Sequence, residues 1–321
     1  QGTYRSAAHS AYMDPATAPL TWSTALTSWR WDSSASLLIV GGCVAYVWAW
    51  RRATQRSEPV TRGPVWCFAI GAALSIAATM SMVGVYDRVL FWVRALQVLL
   101  LLFVVPFFLA MSRPVTVLRG ALGSAGRERL DRLLATSAAR FAAHPATTSV
   151  AMLATPWLLY LTPWYVAALE HNAVAAATRM LLLLVGFGYF YARLQTDPVP
   201  RRYSQLISLV ISIIESIGDG LLGIVLWLGP LTAADYYAHV GRHWGPSPRV
   251  DQSIGAGILW IVGDVLGVPF IIVLMRMFSA DEKVHADAVD SELESAPDVS
   301  DASSGLWWEN DPQLRERMGR R

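Results

Sequence analysis

The sequence predicts an all-α integral membrane protein, a bundle of about seven transmembrane helices, and three observations predict it. Charged residues fill 16% of the 321 positions and hydrophobic ones 54%, at a mean hydropathy of +0.38, whereas a soluble domain carries about 25% charged residues. Seven apolar stretches approach the roughly 20 residues that a helix needs to cross the hydrocarbon core. Pro106, Pro156, Pro163 and Pro269 fall inside those stretches, a placement that suits membrane helices, whose neighbours satisfy the freed carbonyls. A net charge of +2 and the lack of a basic stripe interleaved with aromatics give no case for a nucleic-acid partner. Membrane lipid is the expected surroundings.

Residues 1–34 are polar and tryptophan-spotted with no secretory h-region, and read as an extracytoplasmic N-terminal segment. The expected spans are 35–51, 64–85, 89–111, 147–169, 173–194, 204–229 and 252–278, so that 35–278 forms the transmembrane domain. Arginine placement sets the direction. The loops after the first, third and fifth spans hold 13 arginines (Arg51 to Arg62, Arg113 to Arg140, and Arg193, Arg201 and Arg202), against five on the other side: Arg5, Arg30, Arg88, Arg242 and Arg249. The positive-inside rule then predicts an external N-terminus and a cytoplasmic C-terminus in a bacterial plasma membrane.

Residues 279–321 hold 11 acidic and five basic side chains and read as a solvated acidic tail. Near its end Trp307, Trp308, Glu309, Asp311 and Pro312 suggest a docking peptide for a partner, or else a merely sticky segment. The lone lysine, Lys283, precedes the tail's only histidine, His285. Cys43 and Cys67 lie in apolar stretches without metal or redox spacing and read as buried, inert thiols.

Away from the span ends, five charged residues fall inside the spans: Arg94, Arg179, Glu215, Asp219 and Asp264. Each costs about 2.5–3.5 kcal/mol on insertion scales, so such residues are usually paired or functional. Two cations and three anions at similar depth predict one interior ion-pair network, serving as a structural lock, a remnant ligand site or a proton-handling site. Glu215 and Asp219 share a helix face and repel, so one is protonated unless an arginine lies between them.

Near the predicted outer surface His171 follows Glu170, and Asp235, His239 and His243 share the last external loop. His171, His239 and His243 are candidate ligands for copper or zinc if that loop is helical; the alternative is exposed, non-liganding histidines. The only lysine lies beyond the seventh span, which excludes a retinal photoreceptor. No nucleophile-elbow, zincin or Walker pattern is present, so nothing supports a membrane hydrolase or ATP-driven pump, and the chain reads as a non-enzyme.

Several segments carry a family resemblance by their order and spacing: Trp29-Arg30-Trp31-Asp32, Ala139-Arg140-Phe141-Ala142-Ala143-His144-Pro145, Tyr160-Leu161-Thr162-Pro163-Trp164-Tyr165 and Asp197-Pro198-Val199-Pro200-Arg201-Arg202. The strongest runs from Asp251-Gln252 through Gly255 to Trp260, and looks like a DQ-x-x-G-G-x-I-x-W signature opening the last helix. Over nearly its whole length the chain resembles the actinobacterial branch of the CtaG-like cytochrome c oxidase assembly factors.

The resemblance implies a multi-span protein that helps deliver or insert copper during oxidase maturation, with histidines supplying the ligands. Here the chain departs from the pattern. The family's H-x-x-Q-H reads Arg94-Ala95-Leu96-Gln97-Val98, its histidine-rich fifth span opens Ala175-Ala176-Ala177-Thr178-Arg179, a sixth-span histidine matches Asp219, and a seventh-span glutamate matches Asp264. Arginine cannot ligate copper, so the expected cofactor is none, copper being the one the family would supply. The expected function is support of oxidase biogenesis without the full copper site. The alternatives are an accessory structural subunit bound to a respiratory oxidase complex, and a transporter using Glu215, Asp219 and Asp264, with Gly218, Gly220 and Gly223 permitting a broken helix or only close packing.

Overall fold

The structure, a computed structural model, describes residues 18–56, 62–194, 197, 205–262 and the isolated positions 265, 272, 275 and 276. Side chains in the sixth span are described from Ile214 onward. Contacts divide the chain into two units, residues 1–274 and 275–321, and the helical bundle lies in the first. Among the described residues every regular element is helical.

Helix α1 (Trp22–Thr27) is one and a half turns closed by a reciprocal cap between Thr21 and Thr24. Asp32 then starts α2 (Ser33–Gln55), its carboxylate accepting from the Ala35 amide at 2.9 Å. Helix α3 (Arg62–Met80) breaks at Ser81 and resumes as α4 (Met82–Tyr86). The third span is longer than the sequence predicts. Helix α5 (Phe91–Leu99) widens into a π-turn at Leu100–Val104 and continues as α6 (Val105–Met111); α7 (Pro114–Ala121) then follows Arg113, whose left-handed backbone (φ 50°) sets a new start that Pro114 suits.

The π-turn has a local cause. Pro106 has no N–H to offer the Leu102 carbonyl four residues back, and a widened turn accommodates the missing bond. That carbonyl is approached by Gly186 of α12 (Asn172–Leu194): a Cβ at Gly186 would lie 2.0 Å from it and 2.7 Å from Pro106 Cγ. Gly186→Ala is therefore expected to push the two helices apart and cost about 1–3 kcal/mol. Gly188→Ala, where a Cβ meets nothing within 4 Å, serves as the neutral control in thermal melts of the detergent-solubilised protein.

Helices α8 (Ser124–Leu134) and α9 (Ser137–Ala142) bury no residue and connect α7 to α10 (Pro145–Leu161). His144 caps α10, its Nδ1 accepting from the Ala146 amide at 3.1 Å. The chain turns through 72° at Thr162-Pro163 into α11 (Trp164–Glu170), then enters α12. Helix α13 (Gln205–Leu228), the short α14 (Ala234–Val240) and α15 (Pro248–Gly257), which ends in a second π-turn at Ile258–Val262, complete the described bundle.

Ser33–Gln55, Arg62–Tyr86, Phe91–Ala121 and Asn172–Leu194 are each long and apolar enough to cross a membrane, and the bent pair α10–α11 makes a fifth. Their outward faces carry Leu37, Val44, Val150 and Leu184, all exposed, as lipid-facing side chains are. The chain is thus a multi-pass membrane protein. The expected sixth span coincides with α13, and of the seventh only the opening, α15 and its π-turn, is continuously described.

Candidate functional site

Among the described residues the bundle has two polar interiors. The first lies at the end that carries α1, where the chain between α4 and α5 dips inward. Asp87, 1% exposed, accepts from Arg94 Nη1 at 3.2 Å and pairs with Arg30 at 3.5 Å. Arg94, equally buried, also donates to Gln97 Oε1 at 2.8 Å, and Gln97 in turn donates to the Ala78 carbonyl at 2.9 Å. The Arg94 Nε and Nη2 groups and the Tyr160 hydroxyl are buried with no hydrogen-bond partner.

Beside this cluster Arg179 Nη2 donates to Asp32 at 2.6 Å, tying α12 to the start of α2. Burial pushes the Asp32 carboxyl up, but hydrogen bonds from Ser34 and Ala35 and the Arg179 charge outweigh it and hold the group below the usual carboxylate value. Residues 18–34 therefore belong to the bundle: the Arg30 amide also donates to the Met80 carbonyl at 2.8 Å.

The Asp251-Gln252 pair is a clamp. Asp251 accepts from the amides of Trp92 at 2.9 Å and Phe91 at 3.2 Å, so it caps α5 from another helix, and Arg242 holds it at 3.2 Å. Gln252 closes the far end of α13, donating to the carbonyls of Leu226 (2.7 Å) and Pro230 (2.9 Å) and accepting from the Thr232 amide (2.7 Å). A Cβ at Gly255 would meet the Phe91 ring at 2.5 Å, and one at Gly223 would meet Trp260 Cβ at 2.7 Å. The signature that opens the last helix is thus a packing device. Asp251→Ala, which frees two amides and removes the carboxylate facing Arg242, is expected to cost about 2 kcal/mol, read as a lowered melting temperature. Asp197 acts likewise on α7, accepting from the Val115 and Thr116 amides, each at 2.8 Å.

Above the clamp a cleft of about 630 Å³ is lined by Phe91, Tyr237, Arg242, His243, Asp251 and Gln252, among others. Its floor is aromatic. The Tyr237 and Tyr165 hydroxyls meet at 2.8 Å, and Tyr165 packs on Tyr160 and Phe91 with ring centroids 5.1 and 5.7 Å apart. Burial holds the Tyr237 hydroxyl well above its usual value, so it stays protonated.

The second polar interior sits where α10, α12 and α13 meet. Arg193, fully buried, donates to Glu215 Oε1 at 3.0 Å and Ser149 Oγ at 2.6 Å, while Tyr189 donates to Glu215 Oε2 at 2.6 Å. The guanidinium lies over the Tyr189 ring at 3.9 Å. Arg193, counted from the sequence as a loop cation, is an interior ion-pair partner.

Of the residues expected to form one network, Arg94 is held by Asp87, Arg179 beside it by Asp32, and Glu215 by Arg193 where α10, α12 and α13 meet. Asp219 is half-buried one turn beyond Glu215, and Asp264 lies outside the described residues. Asp87 and Asp32 escaped sequence reading because they flank spans rather than lie in them; the polar break at Asp87-Arg88 was the available signal. His171 and His239 are exposed, each ring facing only the carbonyl four residues back. Helix α14 ends at Val240 with Gly241 left-handed, so His239 and His243 do not share a helical face. No group of three or more potential metal ligands occurs among the described residues. Cys43 and Cys67 are free and half-buried rather than buried. The segment Trp307, Trp308, Glu309, Asp311 and Pro312 lies outside the described residues.

Fold and interior together define a polytopic helical membrane protein whose spans are locked by buried ion pairs and by side-chain caps from distant helices. A family model described as cytochrome c oxidase caa3 assembly factor (Caa3_CtaG) matches residues 44–280, and the chain belongs to that family. Curated relatives include uncharacterized proteins of Mycobacterium bovis and Mycobacterium tuberculosis, each 29% identical over 299 residues, covering 86% of this chain and 44% of theirs. One of Mycobacterium leprae is 26% identical over 281 residues, covering 84% and 42%. The chain spans less than half the length of these relatives. No solved structure matches it.

Proposed function

We propose that this chain is a non-catalytic membrane factor that supports biogenesis of cytochrome c oxidase and binds oxidase subunits, without its family's full copper site. The observation that carries the reading is the family match over residues 44–280. The chemistry of the interior shapes it further. Where the family pattern places histidines, this chain offers Arg94 and Val98, the segment Ala175 to Arg179, and Asp219, with Arg94 and Arg179 in ion pairs. A guanidinium is cationic and cannot replace imidazole or thiolate on copper, so these residues do not fit the metal. In the proposed topology the protein crosses the plasma membrane seven times, α1 and α14 lie outside, and the tail with Trp307 and Trp308 meets the partner from the cytoplasm.

The test is affinity purification from native membranes, with the intact chain and with one cut before Gly305, alongside haem a absorbance in a strain lacking the gene. Oxidase subunits on the intact chain, fewer on the cut one, and lowered haem a absorbance are expected. Normal haem a with no oxidase subunit recovered overturns the reading, and stoichiometric copper on the purified protein overturns its copper clause.

A second reading, an accessory subunit of the finished complex, is favoured by the ion-paired arginines. It predicts that the chain stays with the active oxidase rather than with its precursors. Helix α13 runs unbroken from Gln205 to Leu228, and Gly218 and Gly223 pack against Leu153 and Trp260, which supports close packing at these glycines.

A further inference from the structure

Of the four long spans, α2 is the least covered by neighbouring helices. Tyr46 and Ala49 pack it against Val117 and Ala121 of α7 and Phe68 of α3, and its other face turns outward. On that face a groove of about 540 Å³ runs along the helix past Val44, Val47 and Trp48 to Arg51, Arg52 and Gln55. Its two ends differ in chemistry. Val44, Val47 and Trp48 form an exposed apolar wall. Arg51 and Arg52 are exposed as well, and among the described residues neither guanidinium has an ion-pair or hydrogen-bond partner. The Arg52 guanidinium lies over the Trp48 ring at 5.7 Å, which joins the basic end to the apolar one. Depth gives the change of chemistry a meaning. From Asp32 to Arg51 the helix climbs about 28 Å, close to the roughly 30 Å of a hydrocarbon core. Arg51 and Arg52 therefore stand at one headgroup level, with the apolar wall among the acyl chains of that leaflet.

We propose that this groove binds an anionic phospholipid, its phosphate held by Arg51 and Arg52 and one acyl chain laid along Trp48, Val47 and Val44. Guanidinium N–H groups donate in pairs to phosphate oxygens, so two adjacent arginines suit a phosphodiester. A lipid of net negative charge is preferred because a zwitterionic one brings a second cation up to the two already there. A soluble anion would leave the apolar wall uncovered, and an apolar helix of a partner would leave the arginines unpaired. An anionic lipid fits both ends. The site is a property of the purified chain and stands or falls independently of the role in oxidase biogenesis.

The experiment follows the melting temperature of the full chain in neutral detergent as phosphatidylglycerol is titrated in, with phosphatidylcholine and glycerol phosphate as separate arms. A saturable rise with phosphatidylglycerol alone is expected. The double variant Arg51→Gln, Arg52→Gln changes only exposed side chains, so it should fold normally and need about tenfold more phosphatidylglycerol for half-saturation. The control pair Arg129→Gln, Arg140→Gln removes two other exposed charges and should match the wild type. No saturable rise, an equal response to phosphatidylcholine, or equal half-saturation in the wild type and the Arg51–Arg52 variant overturns the proposal. Glycerol phosphate acting as well as the lipid would make this a site for soluble phosphate, and an equal loss in the control pair would reduce it to the diffuse field of a basic surface; either result overturns it too.

Discussion

Glu215→Ala is expected to destabilise the protein by about 3–5 kcal/mol, because it leaves a fully buried guanidinium without its counter-charge. For a chain of this size that is a fall in melting temperature of about 10 °C. The geometry explains the size. Arg193 is 0% exposed, and its other polar contact is the neutral Ser149 hydroxyl at 2.6 Å. Tyr189 loses its acceptor in the same change, since its hydroxyl donates to Glu215 at 2.6 Å. Both groups are closed off inside the bundle, so no solvent replaces the lost carboxylate. Replacing both partners, Arg193→Met with Glu215→Leu, should recover most of the loss, as exchanging a buried pair for apolar groups often does. An unchanged melting temperature in Glu215→Ala would show that the pair does not hold α12 to α13.

The length and apolar character of most helices were legible because lipid imposes a simple rule on sequence. A helix in hydrocarbon must be apolar for about 20 residues, and α2, α12 and α13 follow that rule to within a few residues of the predicted ends. The break at Ser81, the 72° turn before α11 and the π-turn at Leu100 were not legible from hydropathy, since they arise from single residues and their neighbours. Pro106 and Gly186 lie 80 positions apart in sequence, yet together they set how α6 meets α12. The buried charges were readable as costly and therefore paired, but not their partners. Asp32 reaches Arg179 across 147 positions, and Asp251 caps α5 across 159. Such pairings are properties of the folded bundle. The motif Asp251-Gln252 was readable as a signature, and the structure gives its meaning: two polar side chains that satisfy the ends of two other helices.

Asp87→Ala should have an effect as large as that of Glu215→Ala, and an ordering of variants makes it specific. Asp87 is 1% exposed and is approached by both Arg94 and Arg30. Arg30 is 37% exposed along its side chain and can turn to water, so Arg30→Ala should cost less than about 1 kcal/mol. Arg94→Met removes a buried cation while Asp87 keeps Arg30, so its cost should be intermediate. Asp87→Ala leaves Arg94 buried with only the Gln97 amide oxygen as acceptor, and about 3–5 kcal/mol is expected. Thermal melts of the three variants should therefore rank Asp87→Ala below Arg94→Met, and Arg94→Met below Arg30→Ala. A cost for Arg30→Ala equal to that of Asp87→Ala would mean that the exposed arginine, not Arg94, is the partner that matters.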